Sequence, residues 1–375
     1  MKVEQLSLTG ETWSGDMDSI EIKPNLILLF VSLLFKPKRE LISELYKRFP
    51  DATLIGCSTS GEISGSKVSD NTVSLSAIEL EKVTCKLATV DIIDIDKSYG
   101  AGSILAKQLE GEDLKHAIVF SDGSNINGAD LVSGLKSVFH NTSITGGLSG
   151  YNIDSKEAFI IANTAIESKK IVGLGFYGKE LNVSYGSNGG WNSFGADRLV
   201  SKSKKNIVFE LDGLPALEVY KKFLGDKAYD LPTSALSFPF SMRVNEFDIP
   251  VVRTVRAINE ENQSLIFAAN VPKGSYLRLM KSNVDRLIKG AEDSAKKAVE
   301  AINQKPDLTI LVSCIGRRLL LKQLVEEEVE AVEEVLGINS KITGFYSFGE
   351  IAPFGESSPC ELHNQTMTVT TLSEC

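Results

Sequence analysis

Cysteine and histidine are scarce in this sequence, and neither is spaced for a metal site or a disulfide framework. There are three histidines and five cysteines in 375 residues, and no C-x-x-C motif occurs. The cysteines are widely scattered, at Cys57, Cys85, Cys314, Cys360 and Cys375. Structural zinc sites and disulfide frameworks need paired or clustered ligands. The sequence therefore argues against both and predicts a reduced, cytoplasmic protein.

A basic surplus and a long apolar run are also missing. The formal net charge of −9 argues against a nucleic-acid partner, because phosphate binding depends on clustered Lys and Arg. The longest apolar run, LILLFVSLLF from Leu26 to Phe35, is too short to span a bilayer and is typical of a buried strand. The start of the chain, MKVEQLSLTGETWSGD, has no apolar core of the signal-peptide type. We expect no membrane insertion.

Three segments of the chain follow one pattern of strand, helix, strand and glycine-rich turn. They open with the apolar stretches NLILLFVS, HAIVFSDG and DLTILVSCIGRR, and they end at LIGCSTSGEI, ITGGLSGYN and ITGFYSFGEI. A further strand is predicted after each turn, in TVSLSAIEL, KIVGLGFYG and TMTVTTL. The sequence therefore predicts an α/β or α+β fold, in which mixed sheets contain internal βαβ-like repeats that carry the turns.

The length of the chain favours two domains over one. A stretch of sequence that does not follow this pattern separates the second and third segments. It includes VFELDGLPALEVYKKFLGD, a predicted strand, turn and helix, and a long amphipathic helix over Lys281–Gln304. We place the boundary in the polar stretch Ala196–Asn206, which gives an N-terminal region of residues 1–200 and a C-terminal region of residues 207–375.

The first and third turns are near-copies that both end in Gly-Glu-Ile, at Gly61–Ile63 and Gly349–Ile351. Glycine allows positive φ and close approach of the backbone, and successive N–H groups in such a turn can bind an anion. Serines after a strand, however, often only satisfy the turn backbone. A glutamate at the same place in both turns, Glu62 and Glu350, indicates a role in a ligand site or in pairing the halves. We expect the two turns to approach each other.

Signatures of common enzyme sites fit this sequence poorly. GCSTSG places its second glycine one position too far for a nucleophile elbow, and GCSTSGEI has Glu where a phosphate-binding loop has Lys. Cys57 could be a nucleophile only with a histidine partner, and an inert buried cysteine is the simpler interpretation. We expect a non-enzymatic protein, with an enzyme of unidentified type as an alternative.

The sequence resembles FIST-domain proteins that have a FIST N-terminal region followed by a FIST C-terminal region. LIGCSTSGEI and ITGGLSGYN carry the N-terminal likeness. LDGLPALEVYKKFLG, PVVRTVRAI, VPKGSYLRLM, ITGFYSFGEIAPFG and ELHNQTMTVTTL carry the C-terminal one. The resemblance implies a mostly bacterial sensory domain that binds small ligands, usually thought to be amino acids, and that works with kinases or chemotaxis receptors. Some members are similar to haem-binding nitric-oxide sensors that act on histidine kinases.

An amino acid ligand needs hydrogen-bond donors for its carboxylate and an acidic side chain for its ammonium group. Ser58, Ser60 and the N–H groups of the turn are candidates for the first role. Glu62 or Glu350 could fill the second through a charge-assisted hydrogen bond.

Two arginines in VVRTVRAI, Arg253 and Arg256, could clamp the carboxylate instead. Strand residues three apart face opposite sides, so at most one of them points into a given pocket, and an exposed strand arginine is the alternative for each. The candidate ligand-binding residues are Gly56, Cys57, Ser58, Ser60, Gly61, Glu62, Gly146, Gly147, Arg256, Tyr346, Ser347, Gly349, Glu350 and Asn364.

Haem is the alternative ligand, and it needs an axial side chain in an apolar pocket. His363 in LHNQT is the best candidate, because it lies in the most specific block of the resemblance, and Asn364 could orient it. A hydrogen-bonded structural histidine is the competing interpretation. Without haem, no cofactor is expected.

The expected function is that of a stand-alone intracellular sensor that signals through a separate protein, since only SEC follows the last matched block. A histidine kinase or a chemotaxis receptor is the expected kind of partner. The acidic stretch VEEEVEAVEEVLG could form a docking face, although such a run is usually a solvated helix face. Ligand binding would shift the population between two arrangements of the two regions.

Overall fold

The repeated segments form three mixed sheets in a computed structural model of the chain. It describes residues 1–35, 38–151, 155, 157–300, 302, 305–337, 340–354 and 358–375. The strands are β1 (Lys2–Thr9), β2 (Thr12–Trp13), β3 (Leu26–Ser32), β4 (Thr53–Thr59), β5 (Glu62–Ser64), β6 (Lys67–Ser69), β7 (Thr72–Glu79), β8 (Thr84–Asp91), β9 (Leu114–Ser121), β10 (Ser143–Leu148), β11 (Ile160–Ala162), β12 (Ala165–Glu167), β13 (Lys170–Tyr177), β14 (Leu181–Asn188), β15 (Asn192–Ser193), β16 (Arg198–Lys204), β17 (Ile207–Leu211), β18 (Leu214–Pro215), β19 (Phe240–Arg243), β20 (Val251–Arg253), β21 (Val255–Asn259), β22 (Ser264–Phe267), β23 (Tyr276–Lys281), β24 (Leu308–Cys314), β25 (Ile342–Ser347), β26 (Gly349–Pro353), β27 (Cys360–His363) and β28 (Met367–Glu374). The α-helices are α1 (Lys38–Arg48), α2 (Ser98–Leu109), α3 (Gly128–Lys136), α4 (Ala216–Leu224), α5 (Val284–Glu300), α6 (Ile315–Leu321) and α7 (Val325–Leu336).

Each repeat is built around a pair of parallel strands joined by helix. These pairs are β3 with β4, β9 with β10, and β24 with β25. β3 and β24 are buried along their whole length, as expected of parallel strands covered on both faces, which read as continuous apolar runs. The final strand of each repeat, β7, β13 or β28, returns antiparallel beside the first. The predicted class of mixed sheets with helices, α/β or α+β, is confirmed.

The three repeats exchange hairpins in a closed cycle. The hairpin after the first turn, β5–β6, joins the sheet of the third repeat through β25. The hairpin after the third turn, β26–β27, joins the sheet of the second repeat through β10. The hairpin after the second turn, β11–β12, joins the sheet of the first repeat through β4. Every one of these sheets therefore contains strands from two repeats.

A fourth sheet lies between β14 and α5 along the chain and contains strands β15 to β23. We call this part, residues 192–281, the inserted module. Its core packs Tyr220 of α4 against Phe240 and Phe267. The stretch 196–206 contains β16, which pairs with β17 and β23, so both flanks of the predicted boundary lie in one sheet.

The sheets of the repeats meet at a shared aromatic centre. Phe30, Phe120 and Phe345, one from each repeat, are fully buried, and their ring centroids lie 4.8–5.6 Å apart. This spacing is in the range of favourable aromatic pairs. The three repeats thus pack as one body around these rings.

Two element boundaries differ from the sequence-based expectation. The helix predicted over Lys281–Gln304 begins at Val284 and is described as far as Glu300; residues 301, 303 and 304 lie outside the described residues, as does Asn152 at the end of the second turn. The strand predicted in DLTILVSCIGRR ends at Cys314, and α6 begins at Ile315. No helix in the described part of the chain is both long and apolar enough to cross a membrane.

Candidate functional site

The three glycine-rich turns converge at one point, which we call the three-turn junction. Its turns are residues 58–62, 148–151 and 346–350. The N–H of Ser60 donates to the carbonyl of Tyr346 at 2.9 Å, that of Phe348 to Leu148 at 3.1 Å, and that of Gly150 to Ser58 at 2.8 Å. Each turn donates to the next, so three hydrogen bonds close the cycle of repeats. The prediction that the first and third turns approach each other is confirmed.

One glycine in each repeat lies where the paired strand approaches most closely. A Cβ atom on Gly56, Gly146 or Gly344 would lie 1.9–2.0 Å from a carbonyl oxygen of the neighbouring strand. Gly147 is similarly confined, with Val312 Cγ1 at 2.7 Å from the position of its Cβ. These glycines therefore face protein backbone and side chains, and they set the spacing of the strands below the junction.

Glu62 stabilises the first turn through hydrogen bonds of its buried carboxyl group. Its side chain is 2% exposed. It accepts hydrogen bonds from the Thr59 hydroxyl, from the Thr72 hydroxyl at 2.6 Å and from the Thr72 N–H at 3.0 Å. Burial raises the pKa of Glu62 to about 7, and the three donors oppose that rise.

Glu350 repeats this arrangement in the third turn. Its buried carboxyl accepts from the Ser347 hydroxyl at 2.8 Å and from the hydroxyl and N–H of Thr366 at 2.9 and 3.1 Å. Burial raises its pKa to about 7 as well. In both turns the carboxyl links the hydroxyl three residues earlier to the first residues leading into the returning strand. The shared glutamate thus has a shared partner set, which explains the repeat of Gly-Glu-Ile.

Stability should therefore depend on pH through these two carboxyls. Because their folded-state pKa values of about 7 exceed the usual value, the folded state keeps protons that the unfolded chain has released between pH ~4.5 and ~7. The contribution of the two protonated carboxyls to the free energy of unfolding is complete below that pH window. It is lost as the pH rises through the window, by up to about 1.4 kcal/mol per pH unit for each group. Chemical denaturation at several pH values measures the slope.

Glu350→Gln should flatten this dependence. A glutamine can accept from the Thr366 N–H and donate to the Ser347 hydroxyl, so the fold should tolerate it. Glu21→Gln, at an exposed glutamate, is the matched control. If the free energy of unfolding of Glu350→Gln depended on pH as strongly as that of the wild type, the Glu350 carboxyl would not be a source of the dependence.

The remaining predicted residues of the turns also lie inside the junction. Cys57 is fully buried, and burial raises the pKa of its thiol well above the usual value. The Ser58 hydroxyl donates to the Gly150 carbonyl at 2.7 Å and accepts from the Phe159 N–H at 3.0 Å. Gly61 has a φ of +133° and accepts from the Tyr346 N–H at 2.9 Å. Ser58 and Gly61 thus bind the turns to one another, whereas Cys57 belongs to β4 just before the first turn.

An arginine that the sequence patterns did not single out covers the first turn. Arg318 donates to the Ser60 carbonyl at 2.7 Å and to Asp70 at 2.6 and 2.8 Å, and its guanidinium lies 5.6 Å from the centre of the Tyr346 ring. A Cβ on Gly61 would be 2.8 Å from Arg318 Nη1. Glycine is needed here to admit the guanidinium.

The adjacent arginine forms a buried ion pair. Arg317 and Glu328 are both fully buried, and Arg317 donates to the Glu328 carboxylate at 2.7 and 2.9 Å. Tyr346 and Ser313 donate to the other carboxylate oxygen at 2.7 and 3.0 Å. The acidic stretch of α7 is therefore not only a solvated face, because one of its glutamates is part of the core.

Arg256 lines a cleft of about 220 Å³ between the repeats and the inserted module, beside the second turn. The cleft is lined from the repeats by Gly123, Ser124 and Asn127, which lie between β9 and α3, and from the module by Asn270 and Arg256. The cleft thus lies beyond the carboxyl end of β9, a position at which ligands of α/β proteins characteristically bind. We call this the Arg256 cleft.

Arg256 also connects the cleft to the three-turn junction. Its Nη2 donates to the Tyr151 hydroxyl, and its guanidinium lies 5.7 Å from the centre of the Tyr151 ring. The Tyr151 ring packs on Phe348 of the third turn, with centroids 4.0 Å apart. A change at Arg256 can therefore reach residues of two turns through direct contacts.

Charge in the Arg256 cleft is of both signs. Lys205 and Asp96, which both line it, form an ion pair. Asn127 caps α3 by accepting from the Asp130 N–H at 3.2 Å, and the start of a helix favours an anion. Asn270 donates to Asp130 at 2.8 Å. The cleft therefore offers donors for a carboxylate and an acidic group for an ammonium ion.

Haem does not fit the surroundings of His363. The ring is fully buried, its Nε2 is 2.7 Å from the Ala352 carbonyl, and Phe354 packs edge-on at 4.3 Å. Burial lowers its pKa to about 4. The neighbouring Asn364 donates to the carbonyl of His363 itself at 3.0 Å. An axial ligand must present a ring nitrogen to an open pocket, whereas both nitrogens of His363 are enclosed by protein.

Comparison with known proteins agrees with this architecture. A model of the FIST N domain matches residues 25–214, and a model of the FIST C domain matches residues 216–353. An uncharacterized protein of Methanocaldococcus jannaschii is similar to the chain, with 25% identity over 88% of this chain and 71% of the relative. FIST domains are sensory domains of signal transduction. The chain belongs to the FIST family.

Proposed function

We propose that this protein is a non-enzymatic, cytoplasmic sensor whose Arg256 cleft binds a small amino acid or a related carboxylate metabolite. The observation that carries the proposal is the position of Arg256, held over Tyr151 beside the start of α3. Asp96 supplies an acidic side chain at the same cleft. The volume of about 220 Å³ is below the usual range for drug-sized ligands and suits a molecule of few atoms.

Glu62 and Glu350, which the sequence predicts as partners of the ligand's ammonium group, do not have that role in this site. Glu62 and Glu350 have their carboxyls surrounded by hydroxyl and N–H donors of the protein. The ammonium group of a ligand is therefore assigned to Asp96, where it would take the place of Lys205 in their exposed ion pair, and the carboxylate is assigned to Arg256. A carboxylate that takes hydrogen bonds from Arg256 competes with the Tyr151 hydroxyl for the same guanidinium.

Signal transmission then follows from the contacts of Tyr151. When Arg256 binds a ligand instead of the Tyr151 hydroxyl, its guanidinium no longer lies over the Tyr151 ring, which packs on Phe348. Tyr151 and Phe348 belong to the three-turn junction, where the repeats are hydrogen-bonded in a cycle. A ligand that prefers one arrangement of the junction shifts the population toward it. A separate signalling protein, such as a histidine kinase or a chemotaxis receptor, would sense that arrangement.

Arg256→Gln is expected to weaken amino acid binding by about 10- to 100-fold, because hydrogen bonds to charged groups contribute about 1.5–3 kcal/mol. Thermal shift with the twenty amino acids identifies the ligand, and calorimetry then gives its affinity. Arg278→Gln is the matched control, since Arg278 is an exposed arginine of the same module that donates to the Gly195 carbonyl. Equal affinities of the wild type and Arg256→Gln would refute the site.

A further inference from the structure

The arginine three residues before Arg256 faces a different cavity. Arg253 is 3% exposed and lines a cavity of about 420 Å³ between the inserted module and residues Phe354, Ser358, Pro359 and Glu361. Arg256 lines a different space, in agreement with the expectation that at most one of the two arginines points into a given pocket. We call the larger space the Arg253 cavity.

The guanidinium of Arg253 is only partly satisfied by the protein. Its Nε donates to the Asn270 carbonyl at 3.2 Å, and its Nη1 donates to the carbonyls of Val252 and Leu362 at 3.1 and 2.9 Å. Within the described part of the chain, Nη2 has no hydrogen-bond acceptor and no carboxylate forms an ion pair with Arg253. A buried charge without a counter-ion is costly, and a guanidinium edge is suited to a carboxylate.

The other charged groups at the cavity already have partners. Glu361 pairs with Lys136 at 2.7 Å, and Arg243 pairs with Asp197 at 2.6 Å. Asp248 accepts from the Asn245 N–H at 2.7 Å. Burial lowers the pKa of Arg253 to about 10, so it remains charged at neutral pH. Among the described lining residues, Arg253 is thus the cation that has no carboxylate within ion-pair distance, and the carboxylates of Asp248 and Glu361 at the cavity disfavour a dianion.

The rest of the lining is largely apolar and includes the side chains of Met242, Val244, Phe247, Ile249, Val251 and Phe354. Phe247 is 95% exposed and Ile249 is 56% exposed, although both border the cavity. Binding is favourable when a ligand covers apolar side chains that are otherwise in contact with water, because apolar surface is removed from water. The lining therefore favours an apolar body attached to the anionic group.

We propose that the Arg253 cavity is a second ligand site, which binds a monocarboxylate with an apolar body. The carboxylate accepts hydrogen bonds from Nη2 of Arg253, and the apolar body packs on the side chains of Phe247, Ile249 and Phe354. This site is separate from the Arg256 cleft, because no described residue lines both spaces, although Arg253 donates to the carbonyl of Asn270, which lines the cleft. The protein would then sense two chemically different ligands.

Binding of phenylbutyrate, measured by calorimetry, tests this site, with phenylbutanol as its neutral analogue. We expect one phenylbutyrate per chain, and an affinity for the alcohol that is lower by about tenfold or more, because it lacks the charge-assisted hydrogen bond. Arg253→Gln should abolish the preference for the acid. Equal binding of acid and alcohol, or no binding of the acid to the wild type, would overturn the proposal.

Because Arg253 also holds backbone carbonyls in place, its replacement could reduce binding through misfolding. A second variant therefore tests the site without removing Arg253. Ile249→Asp adds a negative charge at the exposed edge of the cavity and should weaken phenylbutyrate binding by about tenfold at an unchanged melting temperature. Arg278→Gln is again the control and should bind as the wild type does. If Ile249→Asp binds phenylbutyrate with wild-type affinity, the ligand does not occupy this cavity.

Discussion

Alanine at Gly56, Gly146 or Gly344 is expected to destabilise the protein severely, by about 3 kcal/mol or more in each case. The added methyl group would lie 1.9–2.0 Å from a backbone carbonyl oxygen of the paired strand. No rotamer change can relieve this contact, because the backbone fixes the position of the Cβ atom and the carbonyl oxygen belongs to the main chain of the adjacent strand. The strands would have to separate beneath the three-turn junction. Denaturant unfolding of the three variants measures the loss.

Gly100→Ala is the matched control for these variants. Gly100 lies in α2, is exposed, and has no atom within 4 Å of an added Cβ. Alanine there should raise stability by up to about 1 kcal/mol, because glycine is a poor helix former. If Gly146→Ala were as stable as Gly100→Ala, the close approach of β9 and β10 would not be what requires glycine.

Arg317→Met should cost about 3–5 kcal/mol, the usual penalty for leaving one member of a buried ion pair alone. Glu328 would keep hydrogen bonds from Ser313 and Tyr346 but would lose its positive partner in a fully buried position. The carbonyls of Gly189 and Leu287 would lose their donors as well. Urea unfolding of the wild type and the variant measures the difference.

The neighbouring Arg318→Met and a double variant make this test specific. Arg318 pairs with Asp70, which is 72% exposed, and exposed ion pairs contribute about 1 kcal/mol or less. Arg317→Met combined with Glu328→Leu removes both charges and should recover part of the loss. A double variant less stable than Arg317→Met would show that the unpaired carboxylate is not the source of the penalty.

The repeats and their turns could be predicted because their signals are local. Continuous apolar runs mark β3 and β24, and the turn sequences place Gly and Glu at fixed offsets from the strand end. The contact between the first and third turns also followed from their likeness. The cycle of exchanged hairpins did not, since nothing near Glu62–Ser64 indicates that β5 pairs with β25, some 280 residues later.

Burial of individual charged side chains was harder to predict. Glu328 lies in an acidic run, which is usually a solvated face. Helical spacing, however, places it on the same side as Val325, Val329 and Val332. This spacing is the local signal that favours burial of Glu328, whereas its partner Arg317 could be identified only in three dimensions. The predicted ligand role of Arg256 stays a prediction, and the residues that line its cleft come from distant segments that no local pattern links.

The exchange of hairpins has a consequence for synthesis on the ribosome. The sheet of the second repeat receives β26–β27 from residues 349–363, so the edge of β10 stays unpaired until nearly the whole chain has emerged. Unpaired strand edges invite pairing with other chains. The nascent protein must therefore pass through a long interval in which its middle repeat is complete in sequence but open at one side. During that interval we expect it to depend on chaperones.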